Sequence, residues 1–267
     1  MIKIELNGKE FTTKHKTVFE LKNSINSNFI AIYNGYILQN DEELKENDNL
    51  VFIEKGKMPK EDELESCMAS RHTPNVHKKL KASKVAIAGL GGLGSNIAVM
   101  LSRTGVGELL LIDFDIVEPS NLNRQSYYIR HLGMYKTDAL KEQLKEINPF
   151  IKVITKTIKI DENNIKELLK NYPFVCEAFD KADQKAMLVS NILEKLPKTK
   201  IVAGSGMAGY ESSNKIKTKK ALKNLYICGD FEAEAKVGMG LMAPRVTLCA
   251  AHQANMILRL ILDIKDE

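Results

Sequence analysis

The feature that most restricts this chain is a glycine run, Gly89-Leu90-Gly91-Gly92-Leu93-Gly94-Ser95. It follows an apolar stretch, Lys84–Ala88, with strand character, and it opens a helical pattern over 93–104. A strand that passes through a glycine loop into a helix needs a glycine for the tight turn (Gly89). It needs a second where backbone must approach a phosphate (Gly91), and a third where helix packs closely on strand (Gly94). The new helix then presents free N–H groups to an anion. Gly89, Gly91, Gly92 and Gly94 are therefore the candidate phosphate-facing positions. Nineteen residues after Gly94, at the end of the next apolar run (108–113), stands Asp113, where an acid bonds a ribose hydroxyl pair.

The pattern around this loop alternates strand and helix. Strands are expected at 152–158, 174–178, 200–203 and 225–228. Helices are expected over Lys136–Ile147, from Asp161 to about Asn171, and over 243–262, with Pro244 in the last one's first turn. Such alternation predicts an α/β fold with a doubly wound, Rossmann-like, mostly parallel sheet. The first fifty-odd residues read differently. Ile2–Leu6 and 10–13 flank Asn7-Gly8, and 31–33 and 36–38 flank Asn34-Gly35, two tight-turn pairs. Thr17, with Glu20 three residues on, opens a short helix as a capping box, and 50–54 forms a last strand. This order predicts a small β-grasp (ubiquitin-like) domain over 1–57. A linker with a helical arm (Glu61–Ala69) follows over 58–70, and the large domain runs over 71–267.

Charge divides the chain in the same way. Residues 1–65 hold nine lysines against thirteen acids, a net −4, and the whole chain carries +5, so the remainder carries +9. A basic lobe attracts ATP, an acidic protein or nucleic acid, although lysines on solvated helix faces account for most of such charge. No run approaches the eighteen apolar residues of a membrane span, and the start of the chain lacks the apolar stretch of a signal peptide, so a cytoplasmic protein is expected. The cysteines Cys67, Cys176, Cys228 and Cys249 form no C-x-x-C pair, so no structural zinc is expected.

The segment after Asp113 reads Asp113-Phe114-Asp115-Ile116-Val117-Glu118-Pro119-Ser120-Asn121-Leu122-Asn123-Arg124-Gln125, and Lys136 opens the next helix. A triphosphate carries more charge than the pyrophosphate of NAD and needs cations beyond the glycine loop, which Arg124 and Lys136 supply. Together these motifs resemble the ubiquitin-activating superfamily, which includes the ThiF and MoeB adenylating enzymes. The likeness runs from about Arg71 to the end of the chain and is strongest over 85–136. The resemblance implies ATP bound with Asp113 on the ribose, Asp115 and Gln125 beside it, and Ser120, Asn121, Arg124 and Lys136 on the phosphates. It implies Mg2+, carried by ATP, at Asp180 in Cys176-Glu177-Ala178-Phe179-Asp180. The family usually has Asp-Asn there, whereas Lys181 follows here, and a helix-capping role for Asp180 remains open. Arg71 resembles the arginine that a partner subunit extends to the triphosphate, which would require a homodimer. Cys228 is a candidate thiol, because relatives carry a cysteine on a mobile loop that attacks the adenylate or receives sulfur from a donor protein. It also ends an apolar strand, as unreactive cysteines often do.

The first module resembles the thiamine sulfur carrier ThiS, but it runs on through Glu54-Lys55-Gly56-Lys57-Met58-Pro59 instead of finishing in a free Gly-Gly tail. It therefore offers no carboxylate for activation, which leaves a docking or structural role. The resemblance implies that the chain adenylates the C-terminal glycine of a separate, ThiS-type carrier in thiamine thiazole biosynthesis. Four other readings stand beside it: a MoeB-like enzyme for a molybdopterin carrier, a tRNA threonylcarbamoyl-adenosine dehydratase relative, an NAD-dependent oxidoreductase, and a carrier-binding scaffold without catalysis. The carrier-like module argues against a nucleic-acid partner.

Overall fold

The computed structural model describes residues 1–266. The chain divides into two compact units, Met1–Lys78 and Lys79–Glu267. The boundary drawn at residue 71 from sequence thus falls inside the first unit.

The first unit contains β1 (Ile2–Leu6), β2 (Lys9–Thr13), α1 (Val18–Ile25), β3 (Ile30–Tyr33), β4 (Tyr36–Ile37), β5 (Asn49–Ile53) and α2 (Glu61–Ala69). Its sheet order is β2-β1-β5-β3-β4, with β1 and β5 parallel and the other pairs antiparallel. Both hairpins turn on Asn-Gly with positive φ at each residue, 48° and 79° at Asn7 and Gly8 and 48° and 88° at Asn34 and Gly35. That is the backbone whose twist matches the flanking strands. Thr17 Oγ1 accepts the Glu20 N–H at 3.3 Å, while the Glu20 carboxylate accepts the Lys16 N–H at 2.8 Å, one residue before the usual capping-box partner. Ile4, Val18, Leu21, Ala31, Leu44, Leu50 and Phe52 form the core of a β-grasp. Beyond β5 the chain turns into α2, which is held to the β1–β2 turn by a Lys9–Asp62 ion pair and by Asn7 Nδ2 donating to Glu63 at 3.4 Å.

A short helix, α3 (Val76–Lys81), spans the division. The second unit then runs β6 (Lys84–Ala88), α4 (Gly92–Arg103), β7 (Glu108–Ile112), α5 (Lys136–Ile147), β8 (Lys152–Lys156), α6 (Ile165–Leu169), β9 (Phe174–Glu177), α7 (Ala182–Lys195), β10 (Lys200–Gly204), β11 (Lys217–Leu222), β12 (Leu225–Gly229) and α8 (Ala243–Ile261). The seven strands lie in the order β11-β12-β10-β9-β6-β7-β8, all parallel except β11 against β12. Helix α4 packs on α8 and α5 on one face, and α6 and α7 cover the other. Alternate strand residues serve each layer. Ala86, Ala88, Leu110, Ile112, Val175 and Ile201 meet Leu188 and Ile192 of α7. The sheet is therefore doubly wound.

Two strand expectations differ from the structure. The strand read at 152–158 stops at Lys156. The sequence also gives no sign of β11, whose Lys-Thr-Lys-Lys-Ala-Leu lacks an apolar alternation. As an edge strand it pairs on one side only and stays exposed, and lysines on such an edge deter pairing with other chains. Among the described residues no helix is long and apolar enough to cross a membrane.

Candidate functional site

The strand order reverses between β6 and β9, and in open α/β sheets the crevice beyond such a reversal is where ligands bind. The loop after β6 and the segment after β9 meet there. A side chain on Gly89, which has φ of +90°, would meet the Ala178 carbonyl oxygen at 2.8 Å. The four glycines are not equivalent. A Cβ on Gly94 would stand 1.8 Å from the Gly89 carbonyl oxygen, and one on Gly92 would stand 2.8 Å from Val246 at the start of α8. Gly91 has room, since its nearest neighbour would be Gln125 at 3.9 Å. Close packing therefore demands Gly89, Gly92 and Gly94, whereas Gly91 leaves bare backbone at the helix N-cap.

Asp113 closes one side of the loop. Its Oδ2 accepts the Leu90 N–H at 2.6 Å and its Oδ1 accepts the Asp115 N–H at 2.8 Å. Burial raises its carboxyl above the ordinary range, and Lys136 and the two backbone donors only partly oppose that. Lys136, the first residue of α5, is buried and donates Nζ to Asp115 at 2.9 Å, while its N–H donates to the Asp115 carbonyl at 2.9 Å. The intervening loop supplies the rest. Asn121 is buried, with Oδ1 accepting the Glu118 N–H at 3.0 Å, and exposed Ser120 adjoins it. The Arg124 guanidinium donates to the Ser120 carbonyl at 3.0 Å and to Asn123 Oδ1 at 2.8 Å. Gln125 is buried beside Gly91 with its Oε1 unpartnered.

On the other side of the crevice, Asp180 follows β9. Helix α7 begins at Ala182 with Lys181 in the cap position and no side-chain cap bond, so the capping role left open for Asp180 is not the one it plays. Its carboxylate is exposed. Buried Glu177 steadies the segment leading to it, accepting the Phe179 N–H at 2.7 Å and the Lys185 ammonium at 2.9 Å. One exposed carboxylate is the donor set of a magnesium ion that takes its other oxygens from water and nucleotide phosphates.

Cys228 lies apart from this constellation. It is fully buried in β12, where burial pushes its thiol up to about 11, and its Sγ meets Thr218 Oγ1 at 3.4 Å. A thiolate nucleophile needs exposure and a lowered pKa, so the structure places the candidate thiol in the core. The Gly-, Ser- and Lys-rich stretch 204–241, which could hold such a mobile loop, is occupied in its middle third by the β11–β12 hairpin. Arg71 is exposed and belongs to the first unit, between α2 and α3.

The sequence reading missed three polar residues that brace the site. Asn96 Nδ2 donates to the carbonyls of Gly92 at 2.6 Å and Arg124 at 3.1 Å, and its Oδ1 accepts Ser126 Oγ at 2.9 Å. Asn123 Nδ2 donates to the Leu241 carbonyl at 3.1 Å. The only sign of Asn96 in the sequence is its spacing one helical turn after Gly92.

The chain is similar to several known proteins. An adenylyltransferase and sulfurtransferase UBA4 of Lodderomyces elongisporus is 37% identical over 134 residues, covering 50% of this chain and 29% of that protein. A molybdopterin-synthase adenylyltransferase of Haemophilus influenzae is 40% identical over 112 residues, covering 42% of this chain and 46% of the relative. The chain thus spans less than half the length of either. Among solved structures, the E. coli tRNA N6-threonylcarbamoyladenosine dehydratase TcdA in complex with ATP shares the fold. Its TM-score is 0.66 at 23% identity, over 74% of this chain and 93% of that one. The ThiS-like ubiquitin family matches residues 2–56, and the ThiF family matches residues 65–267. The second match covers well over half of the sequence, and the chain belongs to the ThiF family.

Proposed function

We propose that this chain uses ATP and Mg2+ to adenylate the C-terminal glycine carboxylate of a separate, ThiS-type ubiquitin-like sulfur carrier ending in Gly-Gly, in thiamine thiazole formation. One observation carries the reading: at the reversal of strand order Asp113 accepts an N–H of the glycine loop, Arg124 lies against Gly92, Lys136 pairs with Asp115, and Asp180, a carboxylate not used for capping, follows the β9 end that meets Gly89. The names of the two curated relatives support adenylyl transfer, and the ThiS-like first unit supports a carrier of that type.

In this reading Asp113 accepts the ribose hydroxyls. The glycine loop, Ser120, Asn121 and Gln125 seat the phosphates, and Arg124 and Lys136 balance their charge. The carrier carboxylate attacks the α-phosphorus, the bond to the α–β bridging oxygen breaks, and pyrophosphate leaves with the electron pair. An anion attacking a polyanion needs positioning and charge neutralisation more than proton transfer. Asp180 would hold the Mg2+ carried with ATP, which would supply part of that neutralisation. Arg71 serves the site of a second copy in a homodimer, whose contact would cover exposed Phe114, Ile116, Tyr128, Ile129, Leu132 and Tyr135.

ATP–pyrophosphate exchange tests the reading, with Gly-Gly carriers added one at a time and tRNA and NAD as controls. Exchange should depend on a ThiS-type carrier, and Arg124→Ala should lower it by about 100-fold or more. Exchange that required tRNA instead would move the substrate to RNA, a reading that the +9 of the chain beyond residue 65 would suit. Unchanged exchange in Arg124→Ala would end the mechanism.

A further inference from the structure

The segment 231–242, between β12 and α8, is held by backbone bonds from the Phe231 N–H to the Ser205 carbonyl at 3.1 Å and from the Ala208 N–H to the Ala233 carbonyl at 3.3 Å, and at three further points. At its start the buried Asp230–Arg245 ion pair holds the base, and Asp230 Oδ1 also accepts the N–H groups of Glu232 at 2.9 Å and Ala233 at 2.8 Å. Near its end the Gly209 N–H donates to the Gly240 carbonyl at 2.8 Å. The third tie is Asn123 Nδ2 to the Leu241 carbonyl, a bond across 118 residues of sequence. Between these points Val237 is fully exposed, and just beyond them Met242 is half-exposed. The third tie differs from the others because the same carboxamide also holds a site residue, with Oδ1 accepting Arg124 Nη1 at 2.8 Å.

We infer that Asn123 is a positioning residue that couples the 231–242 segment to the aim of the Arg124 guanidinium. The inference rests on the function proposed above, in which Arg124 meets the phosphates. An amide has a donor and an acceptor at opposite corners, so one Asn can fix a cation and a backbone carbonyl together, which neither Asp nor Leu can do. Displacement of the segment pulls on the Asn123 amide and so on the arginine. A substrate tail that presses on the exposed 237–242 stretch is thereby reported to the phosphate site.

The test compares ATP affinity by calorimetry, and backbone hydrogen exchange of the full chain, in wild type, Asn123→Asp, Asn123→Leu, Arg124→Ala and the Asn123→Leu/Arg124→Ala pair. A bond of this exposed kind is worth a few-fold in affinity. Asn123→Leu should weaken ATP by about three- to ten-fold and speed exchange at Gly209 and over 236–242. Asn123→Asp retains the acceptor for Arg124 but loses the donor, so it should speed that exchange while keeping more of the ATP affinity than Leu. In the Arg124→Ala background the Leu change should add nothing to the loss of affinity, because residues acting through one another are non-additive. Full additivity, or hydrogen exchange unchanged in Asn123→Leu, overturns the coupling. Wild-type ATP affinity in Arg124→Ala would instead overturn the proposed function, and the exchange data alone would then judge the tie to Leu241.

Discussion

Alanine placed at Gly94 and, separately, at Gly91 distinguishes packing from phosphate binding. At Gly94 the new methyl would lie 1.8 Å from the Gly89 carbonyl oxygen and 3.1 Å from Ile87 Cγ2. A comfortable carbon–oxygen contact is about 3.3 Å, so α4 and the loop must part by roughly 1.5 Å. Helix α4 cannot yield freely, since Ile97, Ala98 and Leu101 are wholly buried on it and it packs against α8. Overpacking of this kind costs about 1–3 kcal/mol, or more where the obstacle is backbone. For a unit of this size that lowers Tm by about 2–12 °C. A shift of that size also misplaces the N–H groups meant for phosphate, so ATP affinity should fall by about 100-fold. Gly91→Ala is the contrast. Its Cβ has only Gln125 within reach, at 3.9 Å, so stability should stay within about 1 kcal/mol of wild type while the methyl keeps phosphate off the backbone. The assays are thermal unfolding and ATP calorimetry. A Gly94→Ala protein with wild-type Tm would refute the packing argument. A Gly91→Ala protein with wild-type ATP affinity would show that the loop does not seat the phosphates.

Other consequences follow from the buried charges and the thiol. Because burial holds the Asp113 carboxyl above its ordinary range, it becomes protonated as pH falls through that raised value, and in the proposed function it would then stop accepting ribose hydroxyls. ATP affinity should therefore decline at a pH above the usual carboxylate range, and Asp113→Asn should bind weakly with that pH step gone. Lys185→Met would strand the buried Glu177 carboxylate and cost about 3–5 kcal/mol near neutral pH in denaturant unfolding. Burial already raises Glu177, so protonation on acidification should shrink that deficit, and a deficit constant with pH would contradict the assignment. Cys228→Ala should leave ATP–pyrophosphate exchange within about two-fold of wild type while costing about 1–2 kcal/mol of stability. A collapse of exchange without loss of stability would make the thiol a reactive one.

Much of this was legible in the sequence, because the deciding features are local. Asn-Gly pairs fix both β-grasp hairpins through backbone freedom alone, Thr17 and Glu20 mark a helix start, and the glycine run after an apolar strand leaves few alternatives to a phosphate-binding turn. What the sequence could not decide depends on partners distant along the chain. β11 is a strand because β12 offers it an edge, not because Lys-Thr-Lys-Lys-Ala-Leu favours one. The apolar strand around Cys228 left both a reactive and a core role open, and only the enclosing helix and sheet bury its thiol. Asp180 escapes a capping role only because α7 starts two residues later. Asn123 looks like any loop amide until tertiary folding brings Leu241 to one end of it and Arg124 to the other. Periodicity and turn chemistry are short-range and are written in consecutive residues. Burial, strand pairing and shared hydrogen bonds arise only when segments a hundred residues apart come within reach of one another.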